Sequence, residues 1–283
     1  MVKWLIQSTG FTNTTLWETT EILNTLNIKW NDFGVISKEN LITNLSEIFK
    51  DFNDNDTFII RGGVKSLKII EDNFKNMNIS KKQKEFFKKG IDYDIKSFDQ
   101  AVYSKIPEVN NILLNGNDTK YYSFEELKYK LFENDMFIKP SKDLKSFNGG
   151  ILEVGETLLN YLYRTGGNIE ESQKELIIVS EVKNIKSEYR FFMYKNEILL
   201  SSKYYENKKL DINSYVPNNI IDKAIEYGSI YNPKDFYVMD LCTFYDTDEI
   251  KVVEYNCWNA SGFYGGNIKY FISRITEIKE SLR

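Results

Sequence analysis

The sequence predicts a mixed α/β (α+β) fold on three observations. Apolar strands alternate with helix-spaced segments up to about residue 105. The region after it is dominated by aromatic and β-branched runs, which read as strands. Two of those runs, Asp235 to Asp240 and Ile250 to Glu254, close a hairpin through Asp246-Thr247-Asp248.

In the first region, Lys3-Trp4-Leu5-Ile6-Gln7 is the opening strand. Leu16, Thr19, Ile22, Leu23 and Leu26 follow at helical spacing over Thr14 to Leu26, with Thr or Asn available as N-cap. Phe33 to Ile36 is a second short strand, weakened by Gly34. Thr57-Phe58-Ile59-Ile60 is a third, followed by Arg61-Gly62-Gly63 and a helix over Val64 to Asp72. Lys81 to Lys89 is charged, with Phe86 and Phe87 on an apolar side. The alternation marks a small α/β layer, and the chain divides into 1–105 and 106–283.

In the second region, Ser123 to Phe132 reads as a helix whose Ser123 and Glu126 form a capping box. Met136 to Pro140 is a strand, and a Ser/Lys/Asp loop then runs to Phe147-Asn148-Gly149-Gly150. Leu176 to Val182, Tyr189 to Tyr194 and Ile198 to Tyr205 are strands. Val216 to Tyr227 and Ile268 to Leu282 are helices.

Composition narrows the chemistry. The 283 residues carry a net charge of −4, which gives no electrostatic case for nucleic acid or a membrane surface. No apolar run approaches transmembrane length. There is no histidine, so His-based acid–base catalysis, Ser-His-Asp triads and most zinc sites are excluded. Cys242 and Cys257 are expected as reduced buried thiols in a cytoplasmic protein.

The hairpin carries the strongest signal. Folding about Thr247 sets Asp240 opposite Glu254, and Asn256 shares the face of Glu254. Like charges opposed on a sheet repel, so the cluster makes sense around a hard cation such as Mg²⁺. Lys139 ends an apolar strand, from which an ammonium reaches a phosphate. Glu188 and Arg190 flank Tyr189 on one strand face. An even-length turn near Lys195-Asn196-Glu197 brings Lys203 onto that same face. The loop from Lys145 to Gly149 and Gly150 offers backbone N–H groups to phosphates, although it is not a Walker A loop. Ser180-Glu181-Val182 closes a strand whose backbone reads a base edge, and Asn259-Ala260-Ser261-Gly262 permits close backbone approach to a ligand.

Taken in order, these elements resemble the ATP-grasp superfamily over roughly residues 136–267. The Glu-Tyr-Arg and Lys-Tyr pair is similar to a clade common in bacteriophages and bacteria and assigned by sequence analysis as ligases. The resemblance implies an N-terminal pre-ATP-grasp domain and two C-terminal α+β subdomains that sandwich ATP. It implies that Lys139, Lys145, Gly149, Gly150 and Lys203 contact phosphates. Ser180, Glu181 and Val182 then meet adenine, Glu188 holds the ribose, and Asp240, Glu254 and Asn256 hold two Mg²⁺. Arg190 and Lys203 offset developing charge, and Arg61-Gly62-Gly63 lines a second cavity for substrate. The implied activity is ligation of a small-molecule or peptide carboxylate to an amine through an acylphosphate. The alternatives are a nucleotide-binding module without turnover and a small-molecule kinase.

Overall fold

The computed structural model describes residues 1–9, 13–36, 41–43, 56–64, 66–67, 69, 92–144 and 146–282. The expected helix over Val64 to Asp72 lies only partly within these residues, and the charged segment Lys81 to Lys89 and Lys145 lie outside them.

The first sheet is built from β1 (Val2–Gln7), β2 (Trp30–Ile36), β3 (Leu41–Thr43) and β4 (Thr57–Arg61), in the order β3-β2-β1-β4. Strand β1 runs parallel to both β2 and β4, and α1 (Asn13–Thr25) makes the crossover between β1 and β2. All of β1 is buried, as a central parallel strand covered on both faces should be. Gly34 sits in β2 where a Cβ would collide with Thr43 Oγ1, so the expected weak point is a close approach of β3.

Two short helices, α2 (Gln100–Tyr103) and α3 (Pro107–Ile112), lead to the second sheet. This comprises β5 (Lys120–Tyr122), β6 (Met136–Pro140), β7 (Gly150–Leu152) and β8 (Ile177–Glu181), antiparallel in the order β5-β8-β6-β7. The capping box forms as expected, with Ser123 and Glu126 exchanging hydrogen bonds, but its helix α4 stops early, at Phe124–Leu127. Helix α5 (Leu158–Thr165) is capped by Thr157 and ends at Gly166, whose φ of 71° only glycine adopts freely. Helix α6 (Ile169–Ser172) then leads into β8.

The third sheet holds β9 (Ile185–Tyr194), β10 (Glu197–Glu206), β11 (Lys209–Asn213), β12 (Phe236–Phe244) and β13 (Ile250–Asn256), antiparallel in the order β11-β10-β9-β12-β13. Helices α7 (Asn218–Ile230) and α8 (Ile268–Ser281) cover its opposite faces. Strand alternation sorts the side chains: Tyr189, Phe191, Tyr237, Met239 and Tyr255 join the core on the α7 side, together with Phe98 and Tyr103. Phe192 and Val238 join the other core, where Phe271 and Ile275 of α8 also meet Trp4 and Ile6 of the first sheet. Helix α8 thus ties the first sheet to the third, and Trp4 Nε1 donates to Thr276 Oγ1 at 3.0 Å. Glu188, Arg190 and Asp240 point to the same face as Phe192 and Val238, beyond the stretch that α8 covers, which leaves them facing a cavity. No helix among the described residues is long and apolar enough to cross a membrane.

Candidate active site

The cavity has a volume of about 590 Å³ and lies between the second and third sheets. One wall is formed by Lys139 of β6 and by Gly149 and Gly150 at the start of β7. The other is formed by Glu188, Arg190, Asp240, Glu254 and Asn256.

Asp240 and Glu254 are directly paired across β12 and β13, as the hairpin predicts. The route differs from a simple fold about Thr247. Nearer the turn, Leu241 pairs with Val252, so Val253 is an extra residue that bulges before the register reaches Glu254. The bulge presents the Val253 carbonyl to Lys139 Nζ at 3.4 Å. Lys139 also reaches Glu254 Oε2 at 3.2 Å. Burial would raise the Glu254 carboxyl, but Lys139, the Asn256 amide and Arg190 outweigh it and hold it at about 2.

Asp240 is 1% exposed and gripped by Arg190 through both ends of the guanidinium. Nε donates to Oδ1 at 2.8 Å and Nη2 to Oδ2 at 2.7 Å. Burial opposes the charge on Arg190, but Asp240 reverses that and raises its pKa. The Asn256 amide donates to Asp240 Oδ2 at 3.2 Å and to Glu254 Oε1 at 3.0 Å. Among the described residues no group of three or more His, Cys, Asp or Glu side chains could hold a metal ion. Two opposed carboxylates and a carboxamide nevertheless fit Mg²⁺, which takes few protein oxygens and completes its shell from phosphates and water.

Lys203 does not join this group. The hairpin of β9 and β10 starts in the expected register, Tyr194 with Glu197, but Leu199 bulges and shifts the pairing by one residue. Ser202 therefore stands opposite Arg190, and Lys203 stands opposite Tyr189 on the other face. Its ammonium pairs with Glu206 and, at 2.5 Å, with Asp211. A second irregularity places Tyr204 in the cavity instead, where its hydroxyl donates to Glu188 Oε2. Burial, together with Asp240 and Glu254, pushes the Glu188 carboxyl up to about 7.

Of the expected adenine edge, Val182 lines the cavity. Ser180 is buried behind it, donating to Asn115 Oδ1 at 2.9 Å, and the Glu181 side chain is exposed beside Lys183. Arg61-Gly62-Gly63 does not line the cavity. The Arg61 guanidinium is buried and donates to the carbonyls of Trp258 at 2.5 Å and Ser261 at 2.7 Å. Lys145 lies outside the described residues. Sequence reasoning missed Tyr204 and Tyr264, whose stacked rings (centroids 5.0 Å apart) flank Arg190. Asp143 was also missed; it lines the cavity and accepts from the Cys257 N–H at 3.0 Å, joining the loop after Lys139 to the end of β13. Cys242 and Cys257 are free and buried, as expected.

Two antiparallel sheets enclosing a cavity of this kind define the ATP-grasp fold, and solved structures of that fold superpose on the whole chain. D-alanine–D-alanine ligase from Bacillus anthracis matches with a TM-score of 0.57 and 16% identity, covering 100% of this chain and 99% of that one. Macrocyclase MdnC from Microcystis aeruginosa, bound with precursor peptide MdnA, matches with a TM-score of 0.53 and 11% identity over 98% and 100%. A RiPP-associated ATP-grasp ligase from Chryseobacterium gregarium, in complex with ADP and a leader and core peptide, matches with a TM-score of 0.53 and 12% identity over 99% and 97%. No curated protein matches at the level of sequence. Residues 118–273, more than half of the chain, match the model of an ATP-grasp domain, family 2 of its clade, and the chain belongs to that ATP-grasp family.

Proposed function

We propose that the protein is an ATP-dependent ligase that joins a carboxylate to an amine through an acylphosphate. The observation that carries this reading is the convergence of Lys139, Glu188, Arg190, Asp240, Glu254 and Asn256 on one cavity between two sheets. Lys139, with Gly149 and Gly150, faces the phosphates, Glu188 the ribose, and the backbone at Val182 the base. Asp240, Glu254 and Asn256 hold Mg²⁺, two ions in our reading, which when bound neutralises nucleotide phosphate charge. The γ-phosphoryl group passes to a carboxylate oxygen with release of ADP, and an amine then displaces phosphate from the acyl carbon. Positioning and charge neutralisation supply the catalysis, and neither needs histidine. Lys203 has no part in it. The carboxylate and the amine belong to small molecules or peptides, the classes named for the structural relatives. We also propose the division into 1–105 and 106–283, with Phe98 and Tyr103 as the stretch that crosses onto the third sheet.

The test is Mg²⁺-dependent ADP and phosphate release across a panel of carboxylates and amines. Asp240→Asn or Glu254→Gln should lower kcat by at least about a hundredfold. If both variants keep wild-type turnover, the site is misassigned. ATP binding without ADP release for any carboxylate–amine pair would remove the ligase reading.

A further inference from the structure

We infer that Arg190 is an exchangeable counter-ion: in the nucleotide-free protein it neutralises Asp240, and it leaves Asp240 for an anionic substrate group when Mg²⁺ and nucleotide enter. The inference rests on the site reading above and concerns what this chain's own residues must do to admit a cation.

Three observations carry it. First, the carboxylate oxygens that would serve a cation already have protein partners. Asp240 Oδ1 accepts from Arg190 Nε, and Oδ2 accepts from Arg190 Nη2 and Asn256 Nδ2. Glu254 Oε1 accepts from Asn256 Nδ2 and Oε2 from Lys139 Nζ. Second, Asn256 turns its donating end toward both carboxylates, whereas a cation needs the amide oxygen there. The amide and the guanidinium therefore move together or not at all. A cation and a bidentate guanidinium on one buried carboxylate would also repel strongly where water is scarce.

Third, Arg190 has a second set of partners independent of Asp240. Nη1 donates to the Gly262 carbonyl at 3.3 Å. Its Cζ lies 5.3 Å from the Tyr204 ring centroid and 4.8 Å from that of Tyr264. Tyr264 is held at a φ of 50°, a backbone state tyrosine rarely adopts, and Gly265 and Gly266 follow at 88° and 78°. A Cβ on Gly266 would meet the Ser201 carbonyl at 2.9 Å, so β10 packs directly on this turn. The fold thus accepts strain to keep an aromatic surface beside the guanidinium, where it retains the arginine within the cavity after release from Asp240.

The experiment uses the full chain with Mn²⁺ as the probe and no nucleotide. Arg190→Met should bind Mn²⁺ at least about tenfold more tightly than wild type in an electron paramagnetic resonance titration, because its internal competitor is gone. Equal or weaker binding would show that Arg190 merely orients Asp240 and would overturn the exchange. A second measurement needs no variant. In the wild-type protein the Arg190 Nε–H resonance should shift and lose protection with Mg²⁺ plus a non-hydrolysable ATP analogue, and stay unchanged with the analogue in chelator. If calorimetry registers the Mg²⁺ complex and the resonance does not move, the exchange is wrong while the nucleotide reading stands. If the analogue does not bind at all, both fall.

Discussion

Glu188 is a carboxyl whose pKa separates two states of the site. Burial and the neighbouring acids raise it to about 7, against an ordinary value of 4.5. Between those values the folded protein holds a proton that the unfolded chain has lost. The stabilisation from this group is therefore complete below pH 4.5 and is lost as pH rises through about 7. Each tenfold change in proton affinity corresponds to about 1.4 kcal/mol, so the loss is of the order of 1–3 kcal/mol. Glu188→Gln should be no more stable than wild type at pH 5 but more stable at pH 8, as read by urea denaturation at both values. If Glu188 accepts hydrogen bonds from ribose hydroxyls as a carboxylate, wild-type ATP affinity should rise between pH 6 and 8, and the glutamine variant should be flat in calorimetry. A pH-independent wild-type affinity would remove Glu188 from the ribose position. Charged residues of this kind were legible because acids in apolar strands need a reason. Tyr204 and Tyr264 were not, because an aromatic residue in or beside a strand carries the same signature whether it fills a core or walls a cavity.

At the scale of elements, the strands of all three sheets followed from aromatic and β-branched runs, whereas short pieces such as β5, β7 and α6 did not. Three or four residues carry too little periodicity to read. The more consequential omissions are the bulges. A bulge adds one residue without altering composition or alternation, yet it reverses which side chains face the ligand. At Val253 the bulge leaves the Asp240–Glu254 pairing as the hairpin predicts. At Leu199 it sends Lys203 to the wrong face and lets Tyr204 take the cavity position. Lys203 is left in ion pairs with Glu206 and Asp211 on the far face, the kind of surface pair worth about 0–1 kcal/mol. Lys203→Ala should therefore leave ATP affinity and turnover within about twofold of wild type and cost less than about 1 kcal/mol of stability. Tyr204→Ala should weaken ATP binding, since it removes the partner of Glu188 and one ring beside Arg190. A collapse of turnover in Lys203→Ala with Tyr204→Ala unaffected would mean that β10 carries the register of the plain hairpin in solution.

For the whole molecule, the segment from Cys257 to Ser261 is where three parts of the chain meet. It continues from the proposed metal-binding strand β13 and is joined to the loop after Lys139 through Asp143. It is held to the first sheet by the end of β4. Arg61 donates to the carbonyls of Trp258 and Ser261, Asn259 Nδ2 donates to the Ile60 carbonyl at 2.5 Å, and Gly62 N–H donates to the Asn259 carbonyl at 2.9 Å. The Arg61 guanidinium also lies 4.4 Å from the Phe263 ring centroid. Burial lowers its pKa to about 10, so it remains charged at neutral pH although its hydrogen-bond partners at this junction are neutral carbonyls. The sequence could not distinguish this use of Arg61-Gly62-Gly63 from a substrate-facing turn, because the carbonyls it binds lie about two hundred residues further along the chain. Arg61→Met keeps much of the side-chain volume but leaves two buried carbonyls without their donor. Each such loss costs about 1–3 kcal/mol, giving a destabilisation of about 2–6 kcal/mol. At about 2–4 °C per kcal/mol for a chain of this size, Tm should fall by at least about 4 °C. Mg²⁺–ATP should still bind to the folded variant, because Arg61 does not line the cavity. A Tm within a degree of wild type would show that the first sheet is held to the site by α8 alone, through contacts such as Trp4 with Thr276.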